Sequence, residues 1–267
     1  MRVPIFQVDA FTSELFSGNP AAVCPLERWL DDRTLQAIAA ENNLAETAFF
    51  VPRPGAAVPA ADYDLRWLTP TCEVDLCGHA TLAAAWVIFH RGGRKADTVR
   101  FHSRSGPLAV RRDGDRLELD FPASEGAPCE PPPRLVEGLG ATPRETLRAG
   151  DYMAVFEHAD QIRALEPRAE AIASLDARGV IATAPGRDAD YVLRFFAPAA
   201  GIPEDPATGS VHCMLVPYWA KRLGKTRLTA RQLSARGGEF ACEHRGARVA
   251  IAGHAVPFLA GEIELPR

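Results

Sequence analysis

The stretch Leu76-Cys-Gly-His-Ala-Thr-Leu-Ala-Ala-Ala-Trp-Val-Ile-Phe89 decides the fold of this chain. Residues 80–89 include no charged residue and are apolar on every side, which is typical of a helix that protein surrounds completely. The pair Gly92-Gly93 is expected to end this helix. Gly78 and His79 fall at its start, where backbone N–H groups have no partner within a helix and favour an anion. The stretch therefore predicts a buried central helix with an anion site at its N-terminus.

A second copy of this arrangement lies downstream. The segments Asp62-Tyr-Asp-Leu-Arg-Trp-Leu-Thr-Pro70 and Asp190-Tyr-Val-Leu-Arg-Phe-Phe-Ala-Pro198 share Asp, Tyr, Leu, Arg and Pro in register. Cys77 and Asp205 stand seven residues beyond the two prolines, and a second apolar run at residues 211–223 follows Asp205. An internal repeat of this length predicts two related halves, each able to bury its own core.

These features predict an α/β protein with two pseudo-symmetric domains, each a mixed sheet wrapped around a central buried helix. A chain of 267 residues has room for two domains of ordinary size. Residues 122–133 are rich in Pro and Gly, so the linker is placed there, and the domains are set at residues 1–122 and 123–267. The last strand of the chain is left free to return to the first domain.

Glu46 is the most unusual residue of the predicted strand at residues 44–51. It is a lone carboxylate in an otherwise apolar segment, and the matching position of the second half is read as Ala182. Two interpretations remain open. Desolvation would raise the pKa of Glu46 toward the working pH, so that it could accept and donate a proton. Alternatively, the carboxylate reaches solvent at a strand edge and has no chemical role.

The two predicted helix starts form a second candidate feature. Backbone amides near Gly78-His79 and near Gly209-Ser210 would favour a carboxylate, and a duplicated chain is expected to bring both to a cleft between its domains. The alternative is purely structural, because Ser and Thr are common helix caps and Asp205-Pro206 is a common turn start. Gly18 and Asn19 are likewise explained by a tight turn.

Composition excludes several classes of function. The net charge of −4 and the pI near 6.0 give no basic surface for nucleic acid. No signal peptide or 18-residue apolar span is found, so a cytoplasmic protein without a membrane partner is expected. Six irregularly spaced cysteines indicate free thiols. Cys72, Cys77 and His79 lack a second ligand pair at zinc-finger spacing, so neither a metal nor a cofactor is expected.

Five blocks of sequence, in order along the chain, carry a resemblance to a known family. They are Gln7-Val-Asp-Ala-Phe11 with Gly18-Asn-Pro-Ala-Ala-Val23, Asn43-Leu-Ala-Glu-Thr-Ala-Phe49, Leu68-Thr-Pro70, Leu76-Cys-Gly-His-Ala-Thr81 and Glu204-Asp-Pro-Ala-Thr-Gly-Ser210. Together they resemble the PhzF-like phenazine-biosynthesis isomerase family. This resemblance implies a fold like that of diaminopimelate epimerase, with the active site between two similar domains. It also implies a homodimer and chemistry without a cofactor.

The resemblance also implies roles for individual residues. Glu46 matches the acid/base residue of the family. His79 and Asp205, which we count with Glu46 as candidate catalytic residues, match positions that line the substrate site, as does Ser210. Gly78 and Gly209 match the backbone donors. The better-understood members move a proton, with a double-bond shift, on a cyclic amino-acid-like acid, so a small carboxylate is the expected substrate.

Three functions are therefore compared. The first is a cofactor-independent isomerase that acts on a small carboxylate through Glu46. The second is a non-catalytic protein that keeps the fold and binds a small acid or serves as a scaffold. The third is a thiol-dependent amino-acid epimerase or racemase, which would need a cysteine where Asp205 stands. The residues favour the first.

Overall fold

The structure is a computed structural model that describes residues 1–53 and 61–266. Its chain divides into two compact units. Unit 1 comprises Met1–Asp120 with Ala252–Arg267, and unit 2 comprises Phe121–Ile251. The Pro- and Ala-rich residues 52–61 are expected to form a turn, and most of that turn falls on residues 54–60, which lie outside the described residues. That each half folds as an independent domain stays a prediction.

The elements follow one another in this order. The first half of the chain has β1 (Arg2–Ala10), β2 (Asn19–Pro25), α1 (Asp32–Asn42), β3 (Glu46–Pro52), β4 (Tyr63–Leu68), β5 (Glu73–Val74), α2 (Gly78–His90), β6 (Thr98–Ser103), β7 (Gly106–Asp113) and β8 (Arg116–Pro122). The second has β9 (Ala127–Pro128), α3 (Pro133–Leu139), β10 (Glu145–Arg148), β11 (Tyr152–Val155), α4 (Ala159–Arg163), α5 (Ala169–Ala173), β12 (Val180–Pro185), β13 (Tyr191–Phe196), α6 (His212–Leu223), β14 (Arg227–Gln232), β15 (Gly238–Arg245), β16 (Arg248–Gly253) and β17 (Ala255–Glu264). In the part of the chain that the structure describes, no helix is both long and apolar enough to cross a membrane.

The two units repeat one scheme of strand pairing. In unit 1, β17, β1 and β2 pair antiparallel in that order, β2 and β3 pair parallel, β3 and β4 antiparallel, β4 and β6 parallel, and β6 and β7 antiparallel. In unit 2, the same alternation runs through β9, β10, β11, β12, β13, β14 and β15. The mixed α/β fold and the internal duplication predicted from the sequence are therefore confirmed.

The register of the sheets fixes which residues of the two units correspond. Leu65 of β4 pairs with Phe50, whereas Leu193 of β13 pairs with Thr183. The two leucines occupy the same place in the repeat, so Phe50 corresponds to Thr183. Corresponding positions of β3 and β12 are therefore offset by 133 residues.

This register corrects one alignment made from the sequence. Glu46 corresponds to Gly179, the residue before β12, and the match with Ala182 is wrong. Short apolar strands align equally well in several registers, and only the ladder of hydrogen-bonded partners selects one. Because Gly179 carries no carboxylate either, the conclusion that Glu46 has no acidic counterpart is unchanged.

The helix α2 is the buried element that the sequence predicts. All residues from Gly78 to Phe89 are buried, and the helix packs against β1, β2 and β3. The chain leaves the helix at Arg91, and Gly93 follows with a positive φ of 67° that favours glycine.

Replacing a large residue of this helix, such as Leu82, by alanine should cost about 2–5 kcal/mol of stability.

The helix α6 is buried over most of its length, and only its last turn is exposed. Met214, Leu215 and Trp219 are among its buried residues, and the helix contacts β14 and β15. Lys221 and Arg222 in its last turn are exposed, where their charges are favourable at the C-terminus of a helix. Gly224 ends it in the left-handed conformation, as the sequence predicts.

A histidine lies in the core of unit 2, on the first turn of α6. His212 has no exposed surface, and its Nδ1 lies 2.7 Å from the hydroxyl of Tyr191. The rings of Phe240 and His212 are 4.2 Å apart, and Trp219 stacks on Tyr191. Burial lowers the pKa of His212 from 6.5 to about 3, because the charged imidazolium would lose its hydration.

This lowered pKa predicts a specific loss of stability in acid. Below pH 6.5 the unfolded chain binds a proton at His212 that the folded chain does not bind until about pH 3. The free energy of unfolding should therefore fall by about 1.4 kcal/mol per pH unit from this residue alone between those values. Urea unfolding from pH 7 to pH 4 gives the free energy of unfolding as a function of pH. The slope of this dependence should be shallower in His212→Gln than in wild type, by the equivalent of about one bound proton.

The matched control is His244→Gln, which removes a half-exposed histidine of the same unit. In His244→Gln, the dependence of the free energy of unfolding on pH should be closer to that of wild type than it is in His212→Gln. Equal slopes in wild type and His212→Gln would contradict the assignment of a neutral, buried imidazole.

Candidate active site

Glu46 is the first residue of β3. It pairs in parallel register with Ala21 of β2, and only 8% of its surface is exposed. The strand that follows, Thr47 to Val51, is buried throughout, so the position of Glu46 is fixed by the pairing of a core strand. A carboxylate at such a position must have polar partners nearby, because an isolated buried charge costs several kcal/mol.

His79 supplies a polar partner for this carboxylate. It lies in the first turn of α2, is 5% exposed, and its Nε2 is 3.3 Å from Oε2 of Glu46, within ion-pairing distance. One residue therefore comes from the start of a strand and the other from the start of the central helix. The structure thus brings together two of the three candidate catalytic residues.

Asn19 contacts the second ring nitrogen of His79. The side-chain Nδ2 of Asn19 lies 3.2 Å from Nδ1 of His79 in a buried contact. With the amide nitrogen facing the ring, the NH₂ group donates and Nδ1 accepts, and in this arrangement Nδ1 is unprotonated. A neutral imidazole then has its proton on Nε2, the nitrogen that is close to Glu46.

The sequence interpretation of Asn19 as a simple turn residue is therefore incomplete. Gly18 does adopt a positive φ of 66°, as a tight turn requires, but Asn19 is the first residue of β2 and is fully buried. Its amide contacts a residue 60 positions away. The available signal was an amide at the head of an otherwise apolar strand, where a polar side chain needs a buried partner.

Cys77 and Gly78 complete the group in unit 1. Cys77 is the N-cap residue of α2, and its Sγ lies 3.5 Å from Nδ1 and 4.0 Å from Nε2 of His79. The first intrahelical bond is donated by the Thr81 N–H to the Cys77 carbonyl. The amides of Gly78 and His79 are thus outside the ladder of the helix, as the sequence predicts.

Asp205 lies in the loop before α6 in unit 2. It is 6% exposed, and its N–H donates to the carbonyl of Phe195. Thr208 donates its hydroxyl to Oδ2 of Asp205. Gln232 fixes the loop from β14, donating to the Asp205 carbonyl at 2.6 Å and accepting from the Thr208 N–H at 2.8 Å. This loop is therefore held by side-chain amide bonds, which the sequence did not reveal.

Gly209 and Ser210 precede α6 rather than opening it. The helix begins at His212, whose N–H donates to the Gly209 carbonyl, and the Cys213 N–H donates to the Ser210 carbonyl. These are the shorter i to i−3 bonds of a tight turn. The apolar run predicted at residues 211–223 therefore agrees with the helix to within one residue, and Gly209 and Ser210 lie just before its N-cap residue, Val211.

Arg178 and Asp151 lie next to Ser210 in unit 2, and the sequence did not indicate a role for either residue. Arg178 donates from Nε and Nη2 to both carboxylate oxygens of Asp151, at 3.0 and 2.6 Å, and from Nη1 to Oγ of Ser210 at 3.1 Å. Partial burial opposes its charge, but the bonds and attraction from Asp151 outweigh that effect and raise the pKa of the guanidinium. Because Arg178 occupies a lone pair of the Ser210 oxygen, the Ser210 hydroxyl proton is directed elsewhere.

The chain matches one protein family over nearly its full length. Residues 8–261 fit the family of phenazine biosynthesis-like proteins, PhzC-PhzF. A Pseudomonas aeruginosa protein named as an uncharacterized isomerase is 52% identical over 99% of this chain and 100% of its own length.

Solved structures agree with this match. A PhzF-family phenazine biosynthesis protein from Enterococcus faecalis has a TM-score of 0.94 at 44% identity, covering 99% of this chain and 100% of its own. A hydroxyproline epimerase from Agrobacterium vitis shares the fold alone, with a TM-score of 0.66 at 12% identity over 98% of this chain and 92% of its own. The chain therefore belongs to the phenazine biosynthesis-like PhzC-PhzF family and is an isomerase of the PhzF type.

Proposed function

We propose that this protein is a cofactor-independent isomerase that moves a proton on a small carboxylate, with Glu46 as general acid and base. The observation that carries the proposal is the buried carboxylate of Glu46 held 3.3 Å from Nε2 of His79. A cyclic or amino-acid-like acid is the proposed class of substrate, on the resemblance of the motifs that contain Glu46, His79 and Asp205.

In this mechanism Glu46 removes a proton from one carbon of the substrate. The electron pair of the broken C–H bond enters the adjoining unsaturated system, and the protonated Glu46 then delivers the proton to a second carbon. The product is an isomer, and Glu46 returns to its starting state without another reactant. A positioned acid/base group of this kind contributes roughly 10²–10⁴-fold to the rate.

His79 and Asn19 are proposed to hold Glu46 ready for this transfer. With Nδ1 facing the Asn19 amide, the Nε2 proton of His79 faces the Glu46 carboxylate and can donate a hydrogen bond to it. His79 also restricts the rotation of the Glu46 side chain. Asn19 acts through His79 and is a positioning residue.

The carboxyl group of the substrate is proposed to bind to backbone amides. Those of Gly78 and His79 stand at the start of α2, where the helix dipole favours an anion. Gly209 and Ser210 of unit 2 match substrate-binding positions of the family, and we propose that they also bind substrate, the Ser210 hydroxyl being directed by Arg178. The positive charge of Arg178 adds to this preference for an acid.

Asp205 is proposed to bind the remaining polar group of an amino-acid-like substrate. Thr208 donates to one of its oxygens, and a carboxylate retains further acceptor sites for an N–H group. A thiol-dependent racemase is not favoured, because Asp205 stands in the place that corresponds to Cys77 in the repeat. The homodimer and the cytoplasmic location remain predictions that rest on the sequence and its resemblance.

The central test is Glu46→Gln, which keeps the size of the side chain but cannot carry a proton. Wild-type protein is incubated in D₂O with a panel of cyclic and acyclic amino acids and unsaturated acids. It should replace a C–H hydrogen of its substrate in this panel by deuterium, and proton NMR monitors the loss of that signal. The variant should lose at least ~10²-fold in the exchange rate. Glu118→Gln is the matched control, because it changes a second buried glutamate of unit 1 that is held by Arg111.

Exchange by a folded Glu46→Gln variant at the wild-type rate would rule out Glu46 as the acid/base residue. The other candidate groups, Asp205 and Cys77, would then be examined by the same exchange measurement. Tight binding of a panel acid that neither exchanges nor isomerises in wild type would favour a non-catalytic acid-binding protein.

The contribution of Ser210 is tested by its alanine variant. A hydrogen bond to a charged group contributes about 1.5–3 kcal/mol, so Ser210→Ala should raise the KM or Kd of the exchanging acid roughly tenfold to a hundredfold. Ser174→Ala removes a hydroxyl that donates to the Ala171 carbonyl elsewhere in unit 2, and should change neither value. An unchanged KM in Ser210→Ala would remove Ser210 from the binding site.

The role of Asn19 is tested by the tautomer of His79. In ¹⁵N-histidine spectra, assigned with His79→Gln, the wild-type Nδ1 should be unprotonated and Nε2 protonated. In Asn19→Asp two acceptor oxygens face Nδ1, so the proton should move to Nδ1. Asn42→Asp makes the same change at a residue that bonds Thr47 instead, and should leave the wild-type tautomer. A protonated Nδ1 in neutral wild-type protein would contradict this role.

A further inference from the structure

Glu46, Cys77 and His79 together have the composition of a transition-metal site. One carboxylate, one thiol and one imidazole are all buried, and their ligand atoms lie within 4.8 Å of one another. They stand on the first residue of β3 and on the start of α2, two core elements that hold their side chains in place. Zn²⁺ binds to this mixture of oxygen, sulfur and nitrogen ligands.

We propose that soft divalent cations, Zn²⁺ above all, bind to Glu46, Cys77 and His79 and inhibit the isomerase. The cation has no part in the reaction. The inhibition rests on the proposed role of Glu46 in proton transfer, whereas the binding depends only on the three side chains. A metal bound there would occupy the carboxylate of Glu46 and the Nε2 of His79, so neither could hold or move a proton.

The distances are close to those that a tetrahedral ion needs. Two bonds of about 2.0–2.1 Å at a tetrahedral angle place their nitrogen and oxygen about 3.3 Å apart, and one bond of about 2.3 Å to sulfur places it about 3.6 Å from nitrogen. Nε2 and Oε2 are 3.3 Å apart, and Sγ is 4.0 Å from Nε2. A movement of the Cys77 side chain toward the ion would shorten the distance from Sγ to Nε2 to the value that a tetrahedral ion requires.

The surroundings select Nε2 of His79 as the ligand. Nδ1 is already in contact with the Asn19 amide, whereas Nε2 faces Glu46. When Nε2 binds the ion, the imidazole proton resides on Nδ1 and requires an acceptor. Rotation of the Asn19 amide by half a turn presents its oxygen, the kind of outer partner that a metal-bound histidine commonly has.

Charge also favours a divalent ion. A thiolate and a carboxylate carry two negative charges that one Zn²⁺ neutralises, so the buried assembly has no net charge. The Cys77 thiol loses its proton to solvent, and the imidazole proton passes from Nε2 to Nδ1 by solvent exchange. Binding therefore releases one proton and should tighten as the pH rises. Three protein ligands leave a fourth position for water.

Co²⁺ is the probe, because it adopts the geometry of Zn²⁺ and gives a thiolate-to-metal absorption band. The reduced, EDTA-treated full chain should bind one equivalent of Co²⁺ with this band, and Zn²⁺ should displace it. In Cys77→Ser the band should disappear and the Kd should rise at least ~10²-fold. Cys72→Ser is the matched control, since Cys72 is exposed and outside the cluster, and should retain both the band and the affinity.

Circular dichroism of each variant establishes that it is folded, and Glu46→Gln provides a second test of the ligand set. Glu46→Gln should keep the thiolate-to-metal band, but its Kd for Co²⁺ should be higher than that of wild type. A wild-type protein without a thiolate band, or a band that persists in Cys77→Ser, would overturn the proposal. Neither result would affect the proposed proton transfer, provided that the D₂O exchange described above is run with EDTA present. A failure of exchange would leave the Co²⁺ result standing.

Discussion

The helix α2 has no polar face, so its burial requires sheet strands on the sides that a surface helix would expose to water. The strands β1, β2 and β3 pack against it, and their pairing register is fixed by that burial. The same constraint places the start of α2 beside the first residues of β2 and β3. Three polar residues, Asn19, Glu46 and His79, thereby meet inside an apolar unit.

Such a meeting of polar groups is costly unless each group finds a partner. The proposed tautomer of His79 resolves this cost, because one nitrogen accepts from Asn19 while the other faces the Glu46 carboxylate. The arrangement is also chemically asymmetric, with the proposed base, Glu46, at one end and a ring nitrogen of His79 beside it. This buried polar group of unit 1 thus has the organisation that the proposed proton transfer requires.

The second unit repeats the pairing scheme but has different side chains at the equivalent places. Where unit 1 has Glu46, unit 2 has Gly179 next to Arg178, whose guanidinium joins Asp151 to Ser210. The duplicated fold therefore has a carboxylate at this place in unit 1 and a cation beside the same place in unit 2. This divergence does not suit a symmetric two-base mechanism, which would need an acid/base residue at both places.

The sequence by itself determined the α/β fold, the internal duplication and the central helix, because each depends on local periodicity or on a repeated motif. It also marked Glu46 as a candidate, because Glu46 is a lone carboxylate in an apolar strand. It missed α3, β10 and β14, which are short or weakly patterned. Only the tertiary structure decided the partners of Asn19 and Arg178, which lie 60 and 32 residues away along the chain. The tertiary structure also decided the strand register, which makes Gly179 the residue of unit 2 that corresponds to Glu46. Alternation of apolar and polar residues fixes which face of a strand is buried but not which residues it pairs with.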